Sequence, residues 1–498
     1  MRIRITKNRT NNCCKVEIVI IFYNTLTKKK EEFKTVVPGE VRMYDCGPTV
    51  YDYDHIGHMW RYTMSDLIRR VLEYNGYKVK QVMNITDVGH MTSDADSGED
   101  KMEKGAKREG KTPWELAKFY TDIFMQNRRK LNILEPHVIC PATEHIHDMI
   151  ALIKRLFDRG YAYETEDGVY FDSGKFKEYG RLSGNTMEKL EAGARIEVNE
   201  KKKHPYDFAL WVKRVGKHAN HVMHWESPWG DGFPGWHIEC SAMGMRYLGE
   251  TFDIHTGGQD NIFPHHENEI AQSEAATGKK FVNYWVHTTF LSVEGEKMSK
   301  SLGNLFKIKD IEERGIDPLA FRYLCLTAHY KKPLNFTWES LKAAEQALKS
   351  ILNFMQKMQE VKKEGSKGKT EEVAKLLEDA KRKFLNHIND NLNTSQALAV
   401  VHEMMKKVYK IEMEGELSSE EASLAIDTMQ DFDRVLGIMQ IKEKKLPIPR
   451  GEIEKLVKER EEARKKKDFK RSDEIRNELK GKGILVEDTD KGQVWKVA

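Results

Sequence analysis

Two histidines and two lysines, far apart and in a fixed order, carry the chemistry most visible in this chain: His55-Ile56-Gly57-His58 and Lys297-Met298-Ser299-Lys300-Ser301. The first opens an apolar-periodic stretch. A helix N-terminus offers unpaired backbone N–H groups and the positive end of a dipole, and phosphate binds there readily. His55 and His58 add side-chain donors, and Gly57 lets a nucleotide approach the backbone closely. Alone, this tetrapeptide reads slightly better as two exposed histidines near a helix start. The second segment supplies two cations, Lys297 and Lys300, and two hydroxyls, Ser299 and Ser301, with Gly295 and Gly303 as possible hinges. Such a loop can close over a triphosphate and meet negative charge as it builds at phosphorus. A solvated basic loop is the plainer alternative. Both segments together, on the elements they need, point to chemistry at the α-phosphate of a nucleoside triphosphate.

A second group of residues could hold a metal. Cys46 follows Met43-Tyr44-Asp45, Cys240 lies in Trp236-His237-Ile238-Glu239-Cys240, and His265 and Glu269 lie in Pro264-His265-His266-Glu267-Asn268-Glu269. Proline suits a first helical turn, which puts His265 and Glu269 on one helical face. Two thiols, an imidazole and a carboxylate make a credible zinc set. Spacing alone does not select it: the cysteines form no CxxC, a buried free cysteine is more often a small core residue, and His265 with Glu269 is equally readable as a surface pair.

The elements that must position these groups follow from periodicity. Val41 to Cys46 reads as a strand. Apolar residues at Trp60, Met64, Leu67, Ile68, Val71 and Leu72 predict a helix stopped by Asn75-Gly76, and Tyr77 to Ile85 reads as the next strand. This is a β-α-β unit, whose ligands sit where strand C-termini meet helix N-termini. Val16 to Phe22 reads as an early strand. The acidic stretch 94–100 and basic stretch 101–111 read as an exposed, solvated excursion. Amphipathic helices are expected over Trp114–Leu131 and Thr143–Arg159, a hairpin over Tyr161–Asp172, and an inserted domain over 126–231. His221 and His224 within it are expected to be exposed. Beyond Trp338 apolar stripes predict a helical bundle, with Ser418 to Glu421 as a capping box, then charged helices and a terminal hairpin.

The 498 residues are 39% hydrophobic and 32% charged, with a net charge of +4, so a nucleic-acid partner would need a local basic face. No apolar run is long enough to span a membrane. The six cysteines (Cys13, Cys14, Cys46, Cys140, Cys240, Cys325) form no disulfide framework. With no export signal recognised, a reducing cytoplasmic home is expected.

The two signatures resemble those of class I aminoacyl-tRNA synthetases, and the blocks around Cys46, Cys240 and His265, together with the tail from Lys467 to Trp495, resemble the cysteinyl-tRNA synthetase family. The resemblance implies an α/β protein. Its Rossmann-type catalytic domain comes in two halves, 1–125 and 232–290, around an inserted connective domain at 126–231. A lysine-loop and stem-contact region at 291–340 follows, then an α-helical bundle at 341–441 and a small mixed α/β C-terminal domain at 442–498 that recognises the anticodon. It also implies ATP-dependent activation of L-cysteine and transfer to tRNA(Cys), with magnesium accompanying ATP and a monomer expected. Cys46, Cys240, His265 and Glu269 correspond to ligands of one zinc ion that binds the substrate thiolate and rejects serine. His55, His58, Lys297 and Lys300 would be catalytic. Gly57, Ser299, Ser301, His255, Asp260, Thr86 and Trp236 would line the nucleotide and amino-acid sites, His255 being equally readable as a core histidine. A cysteine ligase acting on an amino sugar and a non-catalytic RNA-binding paralogue are the competing readings.

Overall fold

The computed structural model describes residues 4–6, 15–17, 19–89, 100–185, 201–299, 302–364, 370–439, 448–489 and 492–497. Cys13, Cys14, His90, Lys300, Ser301 and most of the acidic excursion lie outside these residues. The chain divides into two compact units, Met1–Met439 and Gln440–Ala498.

The first unit begins with two ribbons, β1 (Arg4–Thr6) with β2 (Lys15–Glu17) and β3 (Ile21–Asn24) with β4 (Lys29–Glu32). The single early strand expected over 16–22 is therefore two, each with its own partner. Next come β5 (Glu40–Asp45), α1 (Ile56–Tyr74), β6 (Lys78–Ile85), α2 (Lys101–Glu109), α3 (Pro113–Lys130), β7 (Val138–Pro141) and α4 (Ile146–Asp158). An antiparallel sheet follows, β8 (Ala162–Glu164), β9 (Gly168–Phe171), β10 (Phe208–Lys213) and β11 (Gly232–Pro234). Then come α5 (Trp236–Leu248), β12 (Phe252–Gly258), α6 (His265–Thr277) and β13 (Val282–Thr288).

Strands β13-β12-β5-β6-β7 form one parallel sheet in that order. Its residues alternate between two cores, as the period of two requires. Val41, Met43, Val79, Met83 and Ile254 face one, and Tyr44, Cys46 and Val82 face the other. The chain leaves β5 toward β6 on one side, while β12 lies on the other. The C-terminal ends of β5 and β12 thus form a topological switch point, where α/β sheets bind ligands.

The excursion at 101–111 is not solvated throughout: α2 buries Met102, Gly105 and Ala106, and Asp100 caps it. Beyond β13 a small sheet joins β14 (Leu291–Val293), β15 (Glu296–Lys297) and, after α7 (Ile308–Glu313) and α8 (Pro318–Thr327), β16 (Leu334–Phe336). The bundle comprises α9 (Trp338–Glu364), α10 (Thr370–Asn389), α11 (Thr394–Met413) and α12 (Ser419–Leu436). Ser418 and Glu421 form the expected capping box on α12. Arg322 of α8, fully buried, bonds Asp66 of α1 (2.6 Å), the Leu436 carbonyl (2.7 Å) and the Leu131 carbonyl (3.0 Å). It fastens the bundle to the first half of the sheet domain.

The second unit packs α13 (Arg450–Lys465) and α14 (Phe469–Gly481) against the hairpin of β17 (Ile484–Thr489) and β18 (Gly492–Val497). Ile453, Ile475, Leu479, Ile484 and Val486 form its own core, with Trp495 packed against it. Among the described residues no helix is long and apolar enough to cross a membrane.

Candidate functional site

Cys46 immediately follows β5, Cys240 lies one turn into α5, and His265 and Glu269 share one face of α6. All four are buried. The sulfurs of Cys46 and Cys240 and a ring nitrogen of His265 lie within 4.8 Å of one another. Cys46 Sγ is 3.6 Å from His265 Nε2, which is 3.0 Å from Glu269 Oε1. That oxygen is buried with no hydrogen-bond partner, while the other, Oε2, accepts a bond from His255 Nε2 at 2.9 Å. A buried carboxylate oxygen is costly unless something positive meets it, and His265 makes that approach here. The two sulfurs and the imidazole nitrogen converge as a soft divalent cation requires, and Glu269 adjoins them through its contact with His265.

Electrostatics agree with that geometry. A hydrogen bond from the Cys240 thiol, opposed by burial and aided by His265, holds Cys46 well below its ordinary value. Burial and the neighbouring Cys46 push Cys240 well up. Burial alone would raise Glu269, yet His255 and His265 outweigh it and bring the carboxyl to about 2. A second buried group, His255, His266 and Glu269, shares that carboxylate. It offers no sulfur, and His255 already spends its Nε2 on Glu269, so it supports the first.

The surroundings fix these side chains. His237 Nδ1 meets His265 Nδ1 at 3.0 Å, and Trp236 stacks on the His265 ring at 4.3 Å. His255 is fully buried, stacked on Trp285 at 4.6 Å. With both ring nitrogens engaged inside the protein, it stands as the orienting partner of Glu269. Thr86 is buried and donates to Glu239 at 2.8 Å. Glu267, next to the ligand helix start, accepts the backbone N–H groups of Leu182 and Ser183 (3.1 and 2.8 Å) and so ties the inserted segment down. Asp260 is exposed on the turn after β12.

The helix-start signature forms a reciprocal cap. His58 donates its backbone N–H to His55 Nδ1, and His55 donates its own to His58 Nδ1, each at 3.3 Å, with the rings stacked 3.6 Å apart. A nitrogen that accepts carries no proton, so when either ring is neutral its proton sits on Nε2, which is then a donor. Protein packed around His58, then His55 and Arg61, lower its imidazole pKa below the ordinary value, although the residue is exposed at the surface.

Met298 of the lysine loop covers Gly57: a Cβ on that glycine would strike the Met298 methyl. The Phe306 carbonyl accepts the Ile56 N–H at 2.8 Å. Lys297 is exposed on β15, and Asn304 holds the loop by accepting the Ser299 N–H (2.8 Å) and donating to the Lys297 carbonyl (3.2 Å). The two signatures are thus adjacent. Lys300 and Ser301 lie outside the described residues.

Sequence reasoning missed three participants. Asn304 ties the loop. Arg61, one turn beyond His58 on the same face, bonds buried Asp45 at 2.8 Å beneath the switch point. Glu239 takes Thr86. The i, i+3 spacing from His58 is the one signal that could have found Arg61.

Comparison with known proteins supports the same fold. Residues 32–346 match the family described as tRNA synthetases class I (C) catalytic domain, 383–440 a DALR domain, and 450–495 a cysteinyl-tRNA ligase anticodon binding domain. A cysteine–tRNA ligase of Thermus thermophilus is 43% identical over 483 residues, covering 96% of this chain and 99% of that protein. One of Caldicellulosiruptor saccharolyticus is 46% identical over 474 residues, covering 94% and 98%. Among solved structures, Mycobacterium tuberculosis methionyl-tRNA synthetase in complex with methionyl-adenylate aligns with a TM-score of 0.58 at 15% identity. It covers 80% of this chain and 90% of that one, a likeness of fold.

Proposed function

Because the chain belongs to the class I cysteine–tRNA ligase family, we propose how its own residues carry out that ligation. It is an aminoacyl-tRNA ligase, which joins cysteine to tRNA at the expense of ATP. The match of residues 450–495 to an anticodon-binding domain does not favour an amino-sugar acceptor.

In our reading the quartet Cys46, Cys240, His265 and Glu269 holds zinc. The observation that carries this is the cluster of two buried sulfurs and a His265 ring nitrogen within 4.8 Å of one another, with Glu269 Oε1 3.0 Å from His265 Nε2. Zinc there would bind a substrate thiolate and leave a serine hydroxyl, still protonated, weakly held. Selection by metal is needed because near-isosteres in a shape-only pocket differ by only about 1–3 kcal/mol. His255 orients Glu269, His237 orients His265, and Trp236 walls the pocket.

Adenylate formation then proceeds in line. The cysteine carboxylate attacks the α-phosphate of ATP, supplied as its magnesium complex, and pyrophosphate leaves. The Nε2–H groups of His55 and His58 face the phosphates as neutral donors. Lys297, with Lys300, neutralises charge on the leaving side, and Asn304 shapes their loop. A terminal ribose hydroxyl of the tRNA then attacks the adenylate carbonyl and releases AMP. No protein nucleophile takes part.

Cobalt substitution tests the pocket. Added cysteine should intensify a sulfur-to-cobalt charge-transfer band, and serine should leave it unchanged. An identical spectrum with and without cysteine would remove the metal from substrate selection.

A further inference from the structure

Among the buried ionisable groups not used above, one cluster joins two segments behind the pocket. His221 and Asp100, 121 residues apart, are 4% and 7% exposed. This corrects the expectation of an exposed His221; His224 is exposed and pairs with Asp231 at 2.7 Å.

His221 Nδ1 lies 2.8 Å from the Met223 carbonyl oxygen, and Nε2 lies 3.2 Å from Asp100 Oδ2 and 3.9 Å from Glu103 Oε1. A carbonyl and a carboxylate only accept. Both ring nitrogens must therefore donate, which requires the doubly protonated ring. Asp100 Oδ1 meanwhile accepts the Glu103 N–H at 2.8 Å and caps α2, and Glu103 Oε1 accepts the Val222 N–H at 2.7 Å. The first turn of α2 thus grips 221–222 through two carboxylates.

The ring touches the segment that leads to Trp236 and the segment that follows Thr86. It stacks at 4.0 Å on Phe233 of β11, three residues before Trp236. It also lies against Gly89, where a Cβ would fall 2.8 Å from Nε2. Gly89 follows Thr86 and Asp87, and Asp87 is itself fixed by Thr143 at 2.6 Å.

We propose that His221 is a positioning residue for the ligase reaction: as an imidazolium it latches segment 216–225 to α2 and holds the Thr86 and Trp236 sides of the pocket in register. The proposal rests on the ligase reading given above. The charged groups facing the ring are Asp100 and Glu103 from α2, and His218 on its own segment. Burial alone would lower the His221 pKa, but the two carboxylates outweigh it and the net shift is upward. His218 is lowered by burial and Lys217, so it adds little charge. Raising the pH through the raised value removes one ring proton, so the positive charge that Asp100 and Glu103 hold is lost and one ring nitrogen is left with a lone pair against an acceptor, which loosens the latch.

The test is kcat/KM for cysteine in ATP–pyrophosphate exchange as a function of pH, with hydrogen–deuterium exchange of 216–225 measured in parallel. Wild type should lose activity on the alkaline side as 216–225 gains exchange. His221→Gln should be about tenfold lower at neutral pH, the size of one lost charge-assisted bond, and lack that inflection. Asp100→Asn keeps an N-capping side chain and should move the inflection to lower pH. Unchanged profiles in both variants would overturn the proposal. If His221→Gln does not fold, an unmoved inflection in Asp100→Asn overturns it alone. Absence of cysteine-dependent exchange in wild type at every pH would instead sink the ligase reading. The hydrogen-exchange profile decides the latch even then.

Discussion

Glu269 divides its two oxygens: Oε2 accepts a hydrogen bond from His255 and Oε1 faces His265. Replacing His255 by Phe keeps a ring against Trp285 and removes only the donor. Zinc affinity, read by chelator competition, should fall about 10–100-fold; unchanged affinity would show that Glu269 needs no orienting partner. Asp54, just before the His55 cap, gives a pH prediction. Burial, opposed by Asn127, raises its carboxyl from 3.8 to about 6. Its folded pKa lies above its unfolded one, so the native state holds the extra proton and stability falls as pH rises from about 4 to 6. Urea midpoints should show this slope in wild type and not in Asp54→Asn. At this scale the residues Cys46, Cys240, His265 and Glu269 and both signatures were singled out in the sequence, and the structure gathers Cys46, Cys240 and His265. The role of His255 was not, because its partner is 14 residues away on another element. Nor was the burial of His221, which α2 imposes from 121 residues earlier.

At the element scale, Asp66, Arg70 and Arg322 form the joint between α1, α8 and the end of α12. Asp66 accepts from both guanidiniums, at 2.7 and 2.6 Å, and from the Leu134 N–H at 2.9 Å. Arg322→Met leaves Asp66 short of one buried partner and should cost about 3–5 kcal/mol in urea unfolding. A cost below about 1 kcal/mol would mean that Arg70 suffices. Gly437 has φ 63° and abuts Arg322, with a Cβ position 2.8 Å from its Nη2, so it serves both the helix end and the joint. Strands β5 and β6, α1 and the bundle were legible because their apolar residues repeat at 2 or 3.6 with clear stops, whereas β7 and β12 were not read from the sequence. Helix α2 was not: Lys101 to Glu109 buries only Met102, Gly105 and Ala106, too thin a stripe to stand out among its charges. The joint was hidden too, since Asp66 and Arg322 are 256 residues apart.

For the molecule as a whole, activation and tRNA recognition draw on different parts of the chain. The core of the second unit centres on Ile453, fully buried. Ile453→Ala should cost that unit about 2–5 kcal/mol, lowering tRNA charging while leaving cysteine-dependent pyrophosphate exchange intact. Equal loss of both would show that activation also depends on 440–498. The most direct test of the account is that exchange reaction with cysteine and serine side by side, in zinc-loaded, zinc-stripped and zinc-restored protein. The account predicts exchange with cysteine alone, lost on stripping and recovered on restoration. Undiminished preference for cysteine in protein shown to be free of metal would contradict it.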